Sequence, residues 1–176
     1  GVTLIEDSAF QSCNSLTQIE IPQAVTAIGK AAFSGCISLK QVTIPGTLTC
    51  AENAFNGCQD LHVTVRPGST AIGEKMLYKC TTLTSISIPD SVTSIGASAF
   101  FGCTGLTDFV IADNITSVGA SAFHDCTNLK TVRLANSVTN LGAQAFDGCT
   151  SLQSVTLSEN LPSIMNSTFL DCTSLE

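Results

Sequence analysis

The residues Leu83-Thr84-Ser85-Ile86-Ser87-Ile88-Pro89, followed by Val92-Thr93-Ser94-Ile95-Gly96-Ala97-Ser98-Ala99-Phe100-Phe101-Gly102-Cys103, decide the fold. Ile86 and Ile88 alternate with polar residues, the two-residue period of a strand buried on one face. Pro89 cannot donate to a strand ladder and ends it. Val92-Thr93-Ser94-Ile95 is long enough for a second short strand, and Gly96 allows a sharp bend after it. Ala97-Ser98-Ala99-Phe100 reads as one helical or 3₁₀ turn before Gly102-Cys103 leads into the next unit.

The unit recurs along the whole chain. Cysteines stand at Cys13, Cys36, Cys58, Cys80, Cys103, Cys126, Cys149 and Cys172, spaced by 22 or 23 residues. Three residues before each is a large apolar side chain: Phe10, Phe33, Phe55, Leu77, Phe100, Phe123, Phe146 and Phe169. Three residues after each is a leucine: Leu16, Leu39, Leu61, Leu83, Leu106, Leu129, Leu152 and Leu175. Periods of roughly 20–29 residues with this apolar spacing signify leucine-rich repeats, whose units bury their apolar faces only by stacking. The sequence therefore predicts a leucine-rich-repeat solenoid, a right-handed superhelix that is mainly β. Short one-turn helical or 3₁₀ segments, a parallel concave sheet and short convex strands complete each coil, with neighbouring strands about 4.8 Å apart. Residues 1–176 read as a single domain of about 7.5 repeats. The pattern opens and stops midway through a repeat, as a fragment of a longer array does.

Two copies lose one residue each. In the first, Cys50 falls five residues before Phe55, where other copies hold Ile28, Ile72, Ile95, Val118 or Ile164. This ninth cysteine reads as a small core residue in place of isoleucine. In the strand that follows, Val63 and Val65 alternate one place out of phase, which brings Arg66 to a normally apolar position. A kink or bulge around Leu61 to Gly68 is expected.

Seven basic residues against fourteen acidic ones give a net charge of −7, and Lys and Arg nowhere cluster. Nucleic acid and anionic membrane surfaces are poor partners for such a chain. No run approaches the roughly 18 apolar residues of a membrane span, so no membrane insertion is expected, and the N-terminus lacks the pattern of a signal peptide.

Nine cysteines invite a disulfide or metal reading. Eight of them recur once per coil, however, which sets them in a row with Cβ atoms about 4.8 Å apart and parallel, a poor geometry for bridging. A structural ladder of free thiols fits better, and a linear row without a C-x-x-C pair cannot close around zinc. No metal or cofactor is expected. His62 and His124 are the only histidines; His124 lies two residues from Cys126, the nearest approach to a nucleophile and base, but the repeat position of Cys126 makes it structural. Asn114-Ile115-Thr116 and Asn166-Ser167-Thr168 match the glycosylation acceptor pattern and carry little weight among so many Ser and Thr.

The outward positions of the main strand remain. One row runs Glu20, Thr43, Thr64, Ser87, Val110, Arg133, Thr156, and a second runs Thr17, Lys40, His62, Thr84, Thr107, Lys130, Gln153. A solenoid docks partners on its concave face, so Asp108, Val110, Lys130 and Arg133, the most distinctive patch, are the candidate binding residues.

Ile95-Gly96-Ala97-Ser98-Ala99-Phe100-Phe101-Gly102-Cys103 with Leu-x-x-Ile-x-Ile-Pro closely resembles the BspA-like, or treponemal-type, leucine-rich repeat family. The likeness covers essentially the whole chain. It implies a secreted or cell-surface protein that acts as an adhesin for host matrix protein, glycan or another cell, with no catalytic activity. Fold alone does not fix a ligand. The alternative is a passive spacer of a larger surface protein, and a third reading is a thiol enzyme using Cys126. Phe10, Phe169 and Leu175 follow the interior pattern close to the ends, which makes end-to-end self-association of uncapped termini a further expectation.

Overall fold

The structure is a computed structural model and describes residues 1–51 and 53–176. Short and long strands alternate along the chain: β1 (Leu4–Ile5), β2 (Gln18–Glu20), β3 (Ala27–Ile28), β4 (Gln41–Ile44), β5 (Thr49–Cys50), β6 (Leu61–Val65) and β7 (Ala71–Ile72). The alternation continues through β8 (Leu83–Ser87), β9 (Ser94–Ile95), β10 (Asp108–Ile111), β11 (Ser117–Val118), β12 (Thr131–Leu134), β13 (Asn140–Leu141) and β14 (Ser154–Thr156). Every pairing is parallel and joins one coil to the next. The result is a β-solenoid with long strands on one side and short ones on the other.

The core fills the space between the two strand rows with one residue type per layer. Leu39, Leu61, Leu83, Leu106, Leu129 and Leu152 are all buried, as are Phe33, Phe55, Phe100, Phe123 and Phe146. Phenylalanine rings stack nearly flat on their counterparts: Phe10 on Phe33 at 4.9 Å, Phe100 on Phe123 at 5.0 Å and Phe146 on Phe169 at 5.6 Å between centroids. Ring stacking at these distances adds about 0.5–1.5 kcal/mol per pair beyond burial itself. The column skips one coil, where Met76-Leu77 stand in place of Ala-Phe and both are buried. Lengthening Ala to Met offsets shortening Phe to Leu, so the layer keeps its volume.

The segment leading to each Phe is not the helical or 3₁₀ turn that its composition suggests. Among the described residues the structure contains turns there and no helix. Hydrogen bonding explains this. The N–H groups of Ser98, Phe100 and Gly102 donate to the carbonyls of Ala120, Ala122 and His124 in the next coil. Those of Ala99, Phe101 and Cys103 turn back to residues Gly96, Ser98 and Phe100. Since alternate donors leave the segment, a continuous intrahelical ladder cannot form. Ser98 and Gly102 also take left-handed conformations, with φ of 53° and 67°, and so do their counterparts in other coils, such as Ser121 and Asp125.

The glycine row has a different cause from the bend proposed above. Gly119 and Gly142 do not have positive φ; instead a Cβ added at either would lie 2.6 Å from Ala97 N or 2.4 Å from Ala120 N. Only a bare Cα lets neighbouring coils approach so closely.

The expected irregularity is present, at Leu61/His62, where the register with β8 shifts from Leu61↔Leu83 to His62↔Ser85. Beyond it, Val63 and Val65 rejoin the core rows, opposite Val42 and Ile44, and both are buried. Two sequence readings are corrected here. Arg66 falls one place past the strand, in the row of Pro45 rather than that of Ile44; its guanidinium donates to the Ile21 carbonyl at 2.8 Å and pairs with Glu20 at 2.7 Å. His62 aligns with Gln41 and Ser85, not with Lys40 and Thr84. Cys50 lies opposite Ile28, in the isoleucine row, and is buried.

Candidate functional site

The outward face of β10 and β12 carries the candidate binding residues. Parallel pairing sets Asp108 opposite Thr131 and Val110 opposite Arg133. Alternation along each strand, buried Phe109 and Ile111 against exposed Asp108 and Val110, turns these side chains to solvent. Val110 is 67% exposed, the largest value among the big apolar side chains described. The Asp108 carboxylate accepts from the Thr107 and Thr131 hydroxyls at 3.0 and 3.1 Å, which fixes its direction. Lys130 is exposed and precedes β12, so it stands at the end of the patch and not in the Asp108 or Val110 row. A shallow groove lined by Asp113, Arg133, Thr156 and Glu159 continues from it.

Sequence reasoning missed a break in this face. Among the described residues the long strands form two sheets, β2-β4-β6-β8 and β10-β12-β14, and β8 does not pair with β10. Lys130 N–H bonds to Thr107 O, and Gln153 N–H to Lys130 O; among the described residues Thr107 makes no such bond to Thr84. Phe109 accounts for the gap. It occupies the row of Ile19, Val42, Val63, Ile86, Val132 and Val155. Its ring packs edge-on to Phe123 at 4.8 Å and tilted on Phe100 at 5.3 Å. A ring where neighbouring coils hold a branched aliphatic side chain overfills a layer of fixed spacing, and the strands part. At the root of the wedge the chain stays close: a Cβ on Gly105 would come within 2.5 Å of Leu83 O.

The parted strands enclose a cleft of about 320 Å³, lined by Ile86, Ile88, Phe109 and Ile111 with Ser85, Asp108 and Val110 at its edges. Ile86 and Ile88 are only half-buried, whereas their row mates Val63 and Val132, and Val65 and Leu134, are buried. The only sequence signals for the cleft are Phe109 and Gly105, each the sole residue of its kind in its row.

The thiols are free. Cys58, Cys103, Cys126 and Cys149 donate through Sγ to the carbonyls of Phe33, Leu77, Phe100 and Phe123, one coil back, at 3.1–3.3 Å. Burial pushes Cys58 and Cys149 up to about 12, and Cys80, Cys103 and Cys126 well above the ordinary thiol value, because a thiolate there would lack solvation. Cys126 is fully buried and held as a thiol, the opposite of an activated nucleophile. His124 makes its contacts elsewhere. Its ring stacks on Phe101 at 4.7 Å, with Asp125 and Asp147 carboxylates each at 3.5 Å from a ring nitrogen. Asn114 of the first glycosylation pattern uses its amide to bond the Val92 carbonyl. Among the described residues no cluster of His, Cys, Asp and Glu is arranged to hold a metal, and no helix is long and apolar enough to cross a membrane.

Comparison with known proteins agrees with this architecture. The family profile described as the BspA type leucine rich repeat region matches in six copies, over residues 3–108 and 70–176. A leucine-rich repeat protein from Bacteroides ovatus is 32% identical over 91% of this chain, with a TM-score of 0.68; the match spans 42% of that protein's chain. The Treponema pallidum leucine rich repeat protein is 29% identical over 99% of this chain and 72% of its own, with a TM-score of 0.60. The pneumococcal vaccine antigen PcpA shares the fold at 21% identity and a TM-score of 0.55, over 99% of this chain and 59% of its own. No curated protein matches. Leucine-rich repeat arrays are protein-interaction scaffolds and generally not catalysts. Repeat by repeat, from the stacked phenylalanines to the once-per-coil thiols, the chain belongs to the BspA-type leucine-rich repeat family.

Proposed function

We propose that this chain is a protein-docking module of a secreted or cell-surface protein, engaging its partner through the outward face of β10 and β12. Adhesion to a host matrix protein, to glycan or to another cell is the role this reading assigns to the whole protein. One observation carries it. Val110 is 67% exposed on a rigid strand and sits beside Arg133, with Asp108 and Lys130 at the margin, so an apolar anchor is ringed by charges of both signs. Interfaces concentrate binding energy in such an anchor, while the surrounding charges set orientation and on-rate.

The test is binding of the chain to immobilised fibronectin, laminin and collagen, followed by Val110→Asp and the double change Lys130→Glu with Arg133→Glu. Loss of about tenfold or more in affinity for whichever protein binds is expected. A passive spacer would bind none of them, or would bind equally well after both changes.

A further inference from the structure

We propose that the cleft between β8 and β10 takes an extended segment of a protein partner, which pairs its main chain with a free strand edge and seats apolar side chains between the isoleucines. This deepens the docking function proposed above and rests on it.

Three features of the cleft favour that occupant. Among the described residues β8 bonds only to β6 and β10 only to β12, so each presents an unpaired row of main-chain donors and acceptors to the gap. A free edge of this kind is the template on which an extended peptide adds as a strand. Next, the floor is apolar. Ile86 and Ile88 are only half-buried there, in the middle of the array, although their row mates Val63, Val132, Val65 and Leu134 are buried. Alternate side chains of an added strand would point into it, since successive residues face opposite sides. A small apolar molecule would cover the isoleucines but leave both edges unpaired, and a sugar would pair with the edges but not cover the floor.

Charge selects among peptides. Asp108 lines the cleft, Asp90 follows Pro89 past the end of β8, and Asp113 follows Ala112 past the end of β10; all three are exposed. The nearest cations on this face, Lys130 and Arg133, stand one strand further on. Lysine or arginine between the apolar residues of the segment therefore meets carboxylates at the mouth. A second copy of this chain, itself at −7, meets repulsion.

The probe is a phage-displayed library of random heptapeptides panned on the whole chain, with the enriched peptide then synthesised. Enriched sequences should alternate apolar residues and carry Lys or Arg. Methylating alternate main-chain nitrogens of that peptide should weaken binding at least tenfold, because side chains are kept and edge pairing is blocked. Asp108→Lys should weaken it by a similar factor. Ala112→Phe, which fills the cleft mouth from an exposed position, should abolish binding while leaving the melting temperature and circular dichroism unchanged. If that variant is itself unfolded, Thr84→Trp on the opposite lip, also exposed, replaces it.

Failure to enrich any peptide overturns the inference, and so does an enriched peptide indifferent to Ala112→Phe. Full binding by the N-methylated copy points to a pocket for side chains or small apolar molecules and also overturns it. A dimer in sedimentation that Ala112→Phe dissolves makes the occupant a second copy, again against the proposal. Matrix-protein binding that is lost with Lys130→Glu and Arg133→Glu but untouched by Ala112→Phe leaves the docking function standing and removes only the strand.

Discussion

Alkali should unfold this protein through its thiols. Cys50, Cys58, Cys80, Cys103, Cys126 and Cys149 are buried, and burial raises each above 9.0, to about 12 for Cys58 and Cys149. Near neutral pH both folded and unfolded chains keep these protons, and the thiols contribute no pH dependence to stability. Above about pH 9 the unfolded chain sheds them while the folded chain does not, so the unfolded state binds fewer protons and stability falls as pH rises. The contribution is complete below pH 9 and lost progressively towards the folded values. Each thiol gives a limiting slope of about 1.4 kcal/mol per pH unit. Six acting together give about 8 kcal/mol per pH unit, comparable to the whole stability of a domain of this size. Urea unfolding under reducing conditions, repeated from about pH 8 to 10.5, should show that collapse. Cys103→Ala isolates the cause, since it differs from the parent by a single thiol: its stability should fall with a slope shallower by about 1.4 kcal/mol per pH unit. Parallel curves for the two proteins, or rapid labelling of all six thiols by a disulfide reagent in the folded state, would refute the reasoning.

Met76 and Leu77 should behave as a coupled pair. Leu77→Phe alone overfills its layer and costs about 1–3 kcal/mol, whereas adding Met76→Ala restores the Ala-Phe pattern and should recover most of that loss in a urea double-mutant cycle. Gly142→Ala places a methyl 2.4 Å from Ala120 N and 2.6 Å from Gly119 C, both backbone atoms that cannot step aside. A loss of about 1–3 kcal/mol in thermal or urea unfolding is expected; a neutral effect would show that coil spacing is softer than the glycine row implies.

The solenoid was legible because each layer repeats one residue type: a Leu and a Cys every 22 or 23 positions, with a Phe in all but one coil, declare the period of a leucine-rich repeat. What escaped were features written in main-chain geometry. The left-handed position two residues before each Phe is filled by Ser8, Ala31, Asn53, Lys75, Ser98, Ser121, Gln144 and Ser167, a set without a common side chain, so nothing in the residue types betrays it. Helical propensity in Ala-Ser-Ala-Phe loses to the next coil, which takes every second donor. The same holds for register. Losing one residue before His62 shifts His62 into the Ser85 row and carries Arg66 past the strand end, because the bulge absorbs the missing residue at Leu61 and the core rows realign. Of the candidate binding residues, alternation puts Asp108 and Val110 on one face with Arg133 opposite Val110, whereas Lys130, read in the Thr107 row, lies just before β12 at the end of the patch.

Phe109 is where a single side chain decides between a closed sheet and an open one, and its replacement separates the two. In Phe109→Ile the β10 layer regains the size of its neighbours Ile86 and Val132. Two effects then compete. The smaller side chain buries less area and leaves Phe100 and Phe123 without an edge contact, a loss of about 1–2 kcal/mol if nothing moves. Closure of β10 onto β8 would restore several ladder bonds at about 0.5–1.5 kcal/mol each and cover Ile86 and Ile88. Ladder closure wins on these magnitudes, and the variant should be more stable than the parent by about 1–3 kcal/mol. Hydrogen exchange reads the geometry directly: amides of 85–88 and 107–111 should become as protected as those of β4 and β6. A variant that is destabilised by about 3 kcal/mol or more, with those amides still exchanging freely, would mean that the strands are held apart by something other than the ring. Should the ladder close instead, the same variant ought to lose the heptapeptide while keeping the Val110 face intact, since closing the sheet removes the free edges and leaves the outward side chains in place.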